Sequence, residues 1–150
     1  MAVTLRSVLT ATVLFGLVLA AGATAPVGAS GLPSFLGCEG THAAIRPHSI
    51  LFACADGNFY VNGLRWSSWT AESATAVGIG HQNDCTPFCA AGHFHAYPSV
   101  SIRLGRPETC RGGRRLFTRV TYRFLREKPP GQKNRQSTLS APFLVDSGCP

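Results

Sequence analysis

Acidic residues are scarce in this chain. Seven Asp and Glu stand against fourteen Lys and Arg in 150 residues, so carboxylate chemistry has few places to sit. Glycoside hydrolysis needs two carboxyl groups at a set separation, and the spacing of Asp56, Glu72 and Asp84 supports no such pair. Asp56 and Asp84 stand in turn contexts, where these side chains bond the nearby backbone. Ser, His and Asp all occur, yet no Gly-x-Ser-x-Gly elbow or other nucleophile signature appears. Helical periodicity is nearly absent after the first thirty residues, and there are no internal repeats. The apolar run from Ser7 to Ala21 is about fifteen residues, short of the ~20 that cross a bilayer as a helix. These absences point away from catalysis, from a helical bundle and from a helical membrane span.

The N-terminal segment has three parts. Arg6 is its only charge, the run to Ala21 is apolar, and small residues then accumulate through Ser30. That succession is a secretory signal, with residues 1–29 expected to be removed and 30–150 expected to form one exported domain. Val27-Gly-Ala29 is the preferred cut, leaving Ser30 first. Ala23-Thr-Ala25 also has small residues but places Pro26 just past the scissile bond. A lipobox ending at Gly37-Cys38 is a poor match, because Pro33, Phe35 and Leu36 interrupt it and the apolar run lies too far back. A retained membrane anchor is the other reading, and the run is short for it.

Removal of Arg6 leaves thirteen basic side chains against seven acidic ones. A basic exported domain favours anionic partners, with solubility as the plainer explanation. All six cysteines, Cys38, Cys54, Cys85, Cys89, Cys110 and Cys149, follow the signal. In an oxidising compartment an even number implies a disulfide framework, for which six cysteines allow 15 pairings. Economical pairs are Cys38–Cys54, Cys85–Cys89 and Cys110–Cys149, the last tying back the tail. The competing chemistry is zinc. Cys85, Cys89, His93 and His95 read C-x3-C-x3-H-x-H, but the histidines of zinc fingers lie further on and export favours oxidised cysteine. No metal and no cofactor is expected.

Gly, Pro, Asn and Asp cut the exported part every eight to twelve residues, the rhythm of an all-β sandwich or barrel. Ser49 to Cys54 reads as a buried strand and Asp56-Gly-Asn58 as a tight turn. Phe59 to Trp69 reads as a strand whose alternation shifts at Gly63, the mark of a bulge. Ser73 to Ile79 and Ser99 to Leu104 follow as strands, with a long irregular stretch from His81 to Tyr97 between them. Arg114 to Arg126 alternates most clearly, and Ser137 to Val145 reads as a last strand. The expectation is a small, disulfide-stapled, two-sheet antiparallel β-sandwich of six or seven strands, immunoglobulin-like in outline, with its core about 46–145.

Several segments together carry a resemblance. Arg46-Pro47, Ile50-Leu-Phe-Ala-Cys-Ala-Asp-Gly-Asn58, Gly63-Leu-Arg-Trp-Ser-Ser-Trp69, Ala74-Thr-Ala76, Asn83-Asp-Cys-Thr-Pro-Phe-Cys-Ala-Ala-Gly-His-Phe-His-Ala-Tyr-Pro98 and Val100-Ser-Ile-Arg-Leu104 resemble a group of small exported actinobacterial proteins of unknown function. The resemblance runs over about residues 46 to 125. It implies secretion or residence in the cell envelope, brings no activity or ligand with it, and favours pairing Cys110 with Cys149.

Two surfaces are candidate binding sites. Arg115, Arg119 and Arg123 are four apart in the strand Arg114 to Arg126, which sets them along one face about 13 Å apart. From Arg111 to Arg135 nine residues are basic and only Glu127 is acidic. Such a row suits a repeating anionic polymer, and guanidinium forks match phosphate and carboxylate; a solvated outer face is the plain alternative. Trp66 and Trp69, with Tyr60, offer aromatic faces for a sugar ring. Residues three apart in a strand point to opposite sides, which leaves at most one tryptophan outside. The expected role is a non-catalytic, secreted or wall-associated module binding an anionic envelope polymer or a secreted protein, without specific nucleic-acid recognition. An extracellular enzyme or enzyme inhibitor is the alternative.

Overall fold

The structure, a computed structural model, describes residues 31–38, 43–110 and 113–140. The expected signal segment and cleavage sites, and Cys149, lie outside the described residues. Among these residues there are eight antiparallel strands: β1 Phe35–Leu36, β2 Ala43–Ala44, β3 Ile50–Leu51, β4 Phe59–Trp69, β5 Ala74–Asn83, β6 Phe94–Thr109, β7 Arg115–Phe124 and β8 Gln136–Ser140. β1 and β2 form a two-stranded sheet, and β3 to β8 form a six-stranded sheet in consecutive order. The protein is all-β, antiparallel and disulfide-bonded. Its larger sheet is a meander, with each strand beside its successor. The Greek-key exchange of strands that immunoglobulin domains use does not occur among the described residues.

Alternation decides which side of the sheet is buried. Val61, Ala74, Ala76, Val100, Ile102, Leu104, Val120 and Phe124 share the core side, each at most 2% exposed. Residues between them, such as Arg65, Val77, Arg103, Arg119 and Arg123, are exposed on the other side. Burying one large side chain of this kind contributes roughly 1.5–3 kcal/mol, so this period-2 pattern fixes the register.

Two bulges in β4 then set the tryptophans. The register shifts between Asn62 and Arg65, where Gly63 has φ 60°, as the sequence leads one to expect. It shifts again between Trp66 and Ser68. That second extra residue corrects the expectation that the two indoles diverge. Trp66 pairs with Ala76 and Trp69 with Ala74, both core positions, and their rings meet edge to face at 4.6 Å. Trp69 is buried and donates Nε1–H to the Pro33 carbonyl at 2.8 Å, while half-buried Trp66 donates to the Pro47 carbonyl at 2.8 Å.

A kink in β6 alters β7. Arg106 has φ 51° and stands between the pairs Gly105–Arg119 and Pro107–Phe117. Beyond it Phe117 is fully buried in the main core, 5.5 Å from the Trp69 ring, and Leu116 joins Leu36 and Cys110 in a second cluster. The N-terminal arm clasps this end. Ser34 N donates to Arg115 O and Phe117 N donates to Ser34 O. β3 is shorter than the expected strand, because Phe52 and Ala53 both turn to donate to the Phe59 carbonyl.

The irregular stretch expected from His81 to Tyr97 is strand at both of its ends. β5 runs to Asn83 and β6 starts at Phe94, leaving residues 84–93 as the connection. A bulge between Gly78 and Gly80 lets the pairing continue past the expected strand end. Cys85–Cys89 staples that connection and Cys38–Cys54 ties the N-terminal arm to the segment after β3. Cys110 is disulfide-bonded and buried.

Candidate functional site

The outer side of the sheet carries the basic residues, in a different set from the expected row. Arg119 and Arg123 are exposed there, as expected. Arg115 lies beyond the kink, is half-buried, and donates to the Ala71 carbonyl at 3.0 Å. The three therefore do not line one face. Arg103 takes the vacant place. It sits opposite Thr121, midway between Arg119 and Arg123 on the neighbouring strand, and diagonal cross-strand neighbours are about 7–8 Å apart. Arg65 extends the set along the row Arg65–Val77–Ser101–Arg123. Ser67, Thr75, Thr121 and Thr138 fill the spaces with hydroxyls. Among the described residues the ion pairs are His95–Asp84 and Arg106–Glu108. Among those residues no carboxylate neutralises Arg65, Arg103, Arg119 or Arg123.

Aromatic surface is also present on this side, though the tryptophans do not supply it. Tyr60 stacks on His81 at 4.7 Å with planes 9° apart, and Phe94, 48% exposed, leans on Tyr60 at 5.5 Å. Strict alternation places Tyr60 here, and cross-strand pairing with β5 brings His81 beneath it.

On the opposite side, the cysteine-held connection builds a cleft. Its anchor is Asn83, buried at the end of β5. The amide donates to Asn58 Oδ1 and to the Cys89 carbonyl, and its Oδ1 accepts from Cys85 N. Gly92 closes over this amide, where a Cβ would overlap Asn83 Oδ1. Asp84 accepts from Thr86 N and His93 N through Oδ1, each at 3.0 Å, and from His95 Nε2 through Oδ2 at 2.8 Å. The His95 bond and the two backbone bonds hold the Asp84 carboxyl well below the usual carboxylate range. His95 pairs with Gln82 across the hairpin, and Tyr97 pairs with Gly80. Burial, with the Asp84 and Glu127 charges, raises the Tyr97 hydroxyl's pKa, so it stays protonated as a donor. Gln82, Asp84, His95 and Tyr97 line about 420 Å³ roofed by Pro129 and Pro130 from the β7–β8 connection.

The alternative zinc set does not assemble. Cys85 and Cys89 are bonded to each other, which removes both thiolates, and His95 faces Asp84. Among the described residues no group of three His, Cys, Asp or Glu side chains converges as a metal site would need. Sequence reasoning named His95 only as a metal ligand and Asp84 only as a turn residue. The signal for their pairing was the Asn-Asp that opens a hairpin connection, with a histidine diagonal to the aspartate on the return strand, opposite Gln82.

Comparison with family models, curated proteins and solved structures finds no match to this chain. Its function is therefore argued from these two surfaces.

Proposed function

We propose that this chain is an exported, non-catalytic binding module that holds an anionic envelope polymer across the outer side of its six-stranded sheet. The observation that carries this reading is the group Arg65, Arg103, Arg119 and Arg123, all exposed on one side with no carboxylate paired to them among the described residues. Exposed charges attract polyanions over about a Debye length, ~8–10 Å at moderate salt. Four guanidinium groups spread over roughly 13 Å in each direction match successive phosphates or carboxylates along a chain better than one small anion. The interspersed hydroxyls donate further hydrogen bonds. Export is supported by the three-part N-terminal segment and by disulfides, which persist in oxidising compartments.

The test is retention of the oxidised domain on immobilised polyphosphate and on a uronate polysaccharide as salt is raised. Wild type should bind at low salt and release as ionic strength rises. Arg103→Gln, Arg119→Gln and Arg123→Gln together should abolish retention with little change in melting temperature. Arg115→Gln should leave retention intact, since its guanidinium is used internally. Equal retention of wild type and the triple variant refutes the proposal.

A further inference from the structure

We infer that the cleft between Asp84, His95, Gln82, Tyr97 and the Pro129–Pro130 roof is a binding site for a neutral sugar residue of a glycan chain. It lies on the opposite side of the sheet from the arginines and does not depend on the polyanion reading.

Its composition decides the ligand class. In a chain with twice as many basic as acidic residues, none of the side chains lining this cleft is Lys or Arg. Its one formal charge of fixed sign is the Asp84 carboxylate, which repels anions. Asp84 is already bonded to His95 and to two backbone amides, an arrangement that leaves it little call for a cationic ligand. A carboxylate has about four acceptor positions, and three are filled here. The remaining one, on Oδ2, is held in a fixed direction by the other three.

The other groups are free to bond. The Gln82 amide makes no side-chain hydrogen bond to any described residue, and it supplies both a donor and an acceptor. The Tyr97 hydroxyl is likewise unpaired and protonated. The second ring nitrogen of His95 is not used by Asp84. One wall is apolar: the Tyr97 ring, fixed by an edge contact to Phe124 at 5.7 Å, and the two prolines. Alternating donors and acceptors on one side and an aromatic wall on the other are what a pyranose presents in reverse, with hydroxyls around its rim and C–H bonds on its face. Ligand sites commonly enclose 300–1,000 Å³, and about 420 Å³ falls in that range.

The cleft also continues. A second hollow of about 420 Å³ shares Gln82 and Pro130 and runs past Tyr122 to Ser137. A groove that extends beyond one ring fits a sugar within a chain, so the occupant is an oligosaccharide segment rather than a free monosaccharide.

The experiment is a two-dimensional amide NMR titration of the ¹⁵N-labelled oxidised domain. The probes are neutral oligosaccharides built from glucose, galactose, mannose, arabinose or N-acetylglucosamine, with inorganic phosphate and choline as charged controls. At least one neutral oligosaccharide should shift the Gln82 side-chain amide and the backbone amides of Thr86, His95 and Tyr97, at low and high salt alike. Gln82→Ala with His95→Ala should weaken that binding at least about tenfold, the loss expected for two or more hydrogen bonds. Both variants leave the Asn83 anchor and the disulfide in place, and unchanged shifts elsewhere report that the domain is folded. The triple arginine variant should bind the oligosaccharide as wild type does. Shifts produced only by phosphate or choline, no response to any oligosaccharide, or binding that survives the double variant would each overturn the inference.

Discussion

Replacing Gly92 by alanine tests how the cleft is held. The new methyl carbon would overlap Asn83 Oδ1 and lie 2.8 Å from Cys85 N and 2.9 Å from Asp84 Oδ1. A flexible side chain would move aside cheaply, but Asn83 is buried and three hydrogen bonds fix its amide. Relief requires breaking at least the Asn83–Cys85 bond, worth about 1 kcal/mol and more if the amide stays buried and unpaired. Overpacking adds ~1–3 kcal/mol. The expected loss is therefore roughly 2–4 kcal/mol, or about 8–16 °C in melting temperature for a domain of this size. Gly105→Ala is the control, because nothing lies within 4 Å of its added carbon. Thermal unfolding followed by circular dichroism compares the two. In an Asn83→Ala background the nearest of the three obstacles is gone, and the cost of Gly92→Ala should shrink by at least about 1 kcal/mol, a coupling readable in a double-mutant cycle. Equal melting temperatures for Gly92→Ala and Gly105→Ala, or no coupling to Asn83, would show that the loop accommodates the methyl group and that the anchoring argument is wrong.

Acid should loosen the same loop. The Asp84 carboxyl titrates below its unfolded value near 4, so its contribution is present above that pH and fades as pH falls through the folded value. Protection of the Thr86 and His93 amides against exchange, taken relative to the intrinsic rate at each pH, should fall below about pH 4, and Asp84→Asn should flatten that dependence. Trp69→Phe removes the bond to the Pro33 carbonyl inside the core and should lower stability by about 1.5–3 kcal/mol in urea denaturation. Trp66→Phe, half-buried, should lower it by less. Replacing Cys38 and Cys54 by serine opens a loop of sequence separation 16 and should remove about 3 kcal/mol in the chain-entropy account, measured as the midpoint shift of the same transition.

Much of the sheet was readable because burial on one side imposes a period of two. The Val100, Ile102, Leu104 series and the Val120, Tyr122, Phe124 series announced β6 and β7, and Gly63 announced its bulge. The second bulge in β4 was hidden, since Ser67 and Ser68 carry no special backbone preference. Trp66 and Trp69 therefore looked divergent when they meet. Arg106 hid the kink for the same reason, and with it the diversion of Arg115 to the Ala71 carbonyl. The ends of β5 and β6 looked like loop because Gln82, Asn83 and His95 are polar, yet their side chains build the cleft. Asp84 does make the local turn bonds its context suggested. Its partner His95 is eleven residues away, so only the hairpin register reveals it.

The consecutive order of the six-stranded sheet determines how the chain comes together. Every neighbouring pair from β3 to β8 closes a hairpin, and Cys38–Cys54 and Cys85–Cys89 span only 16 and 4 residues. Short closures lose little chain entropy and form early. One described closure is long: Ser34 on Arg115 and Phe117, bridging 81 residues between Ser34 and Arg115. It seats Pro33 over the Trp69 N–H and brings Leu36 onto Leu116. That clasp cannot form until β7 exists, so the first residues of the described chain are fastened among the last. The Trp69 indole thus reports whether β7 has joined the sheet: it is sheltered and bonded when β7 is in place, and loses its acceptor when β7 is missing.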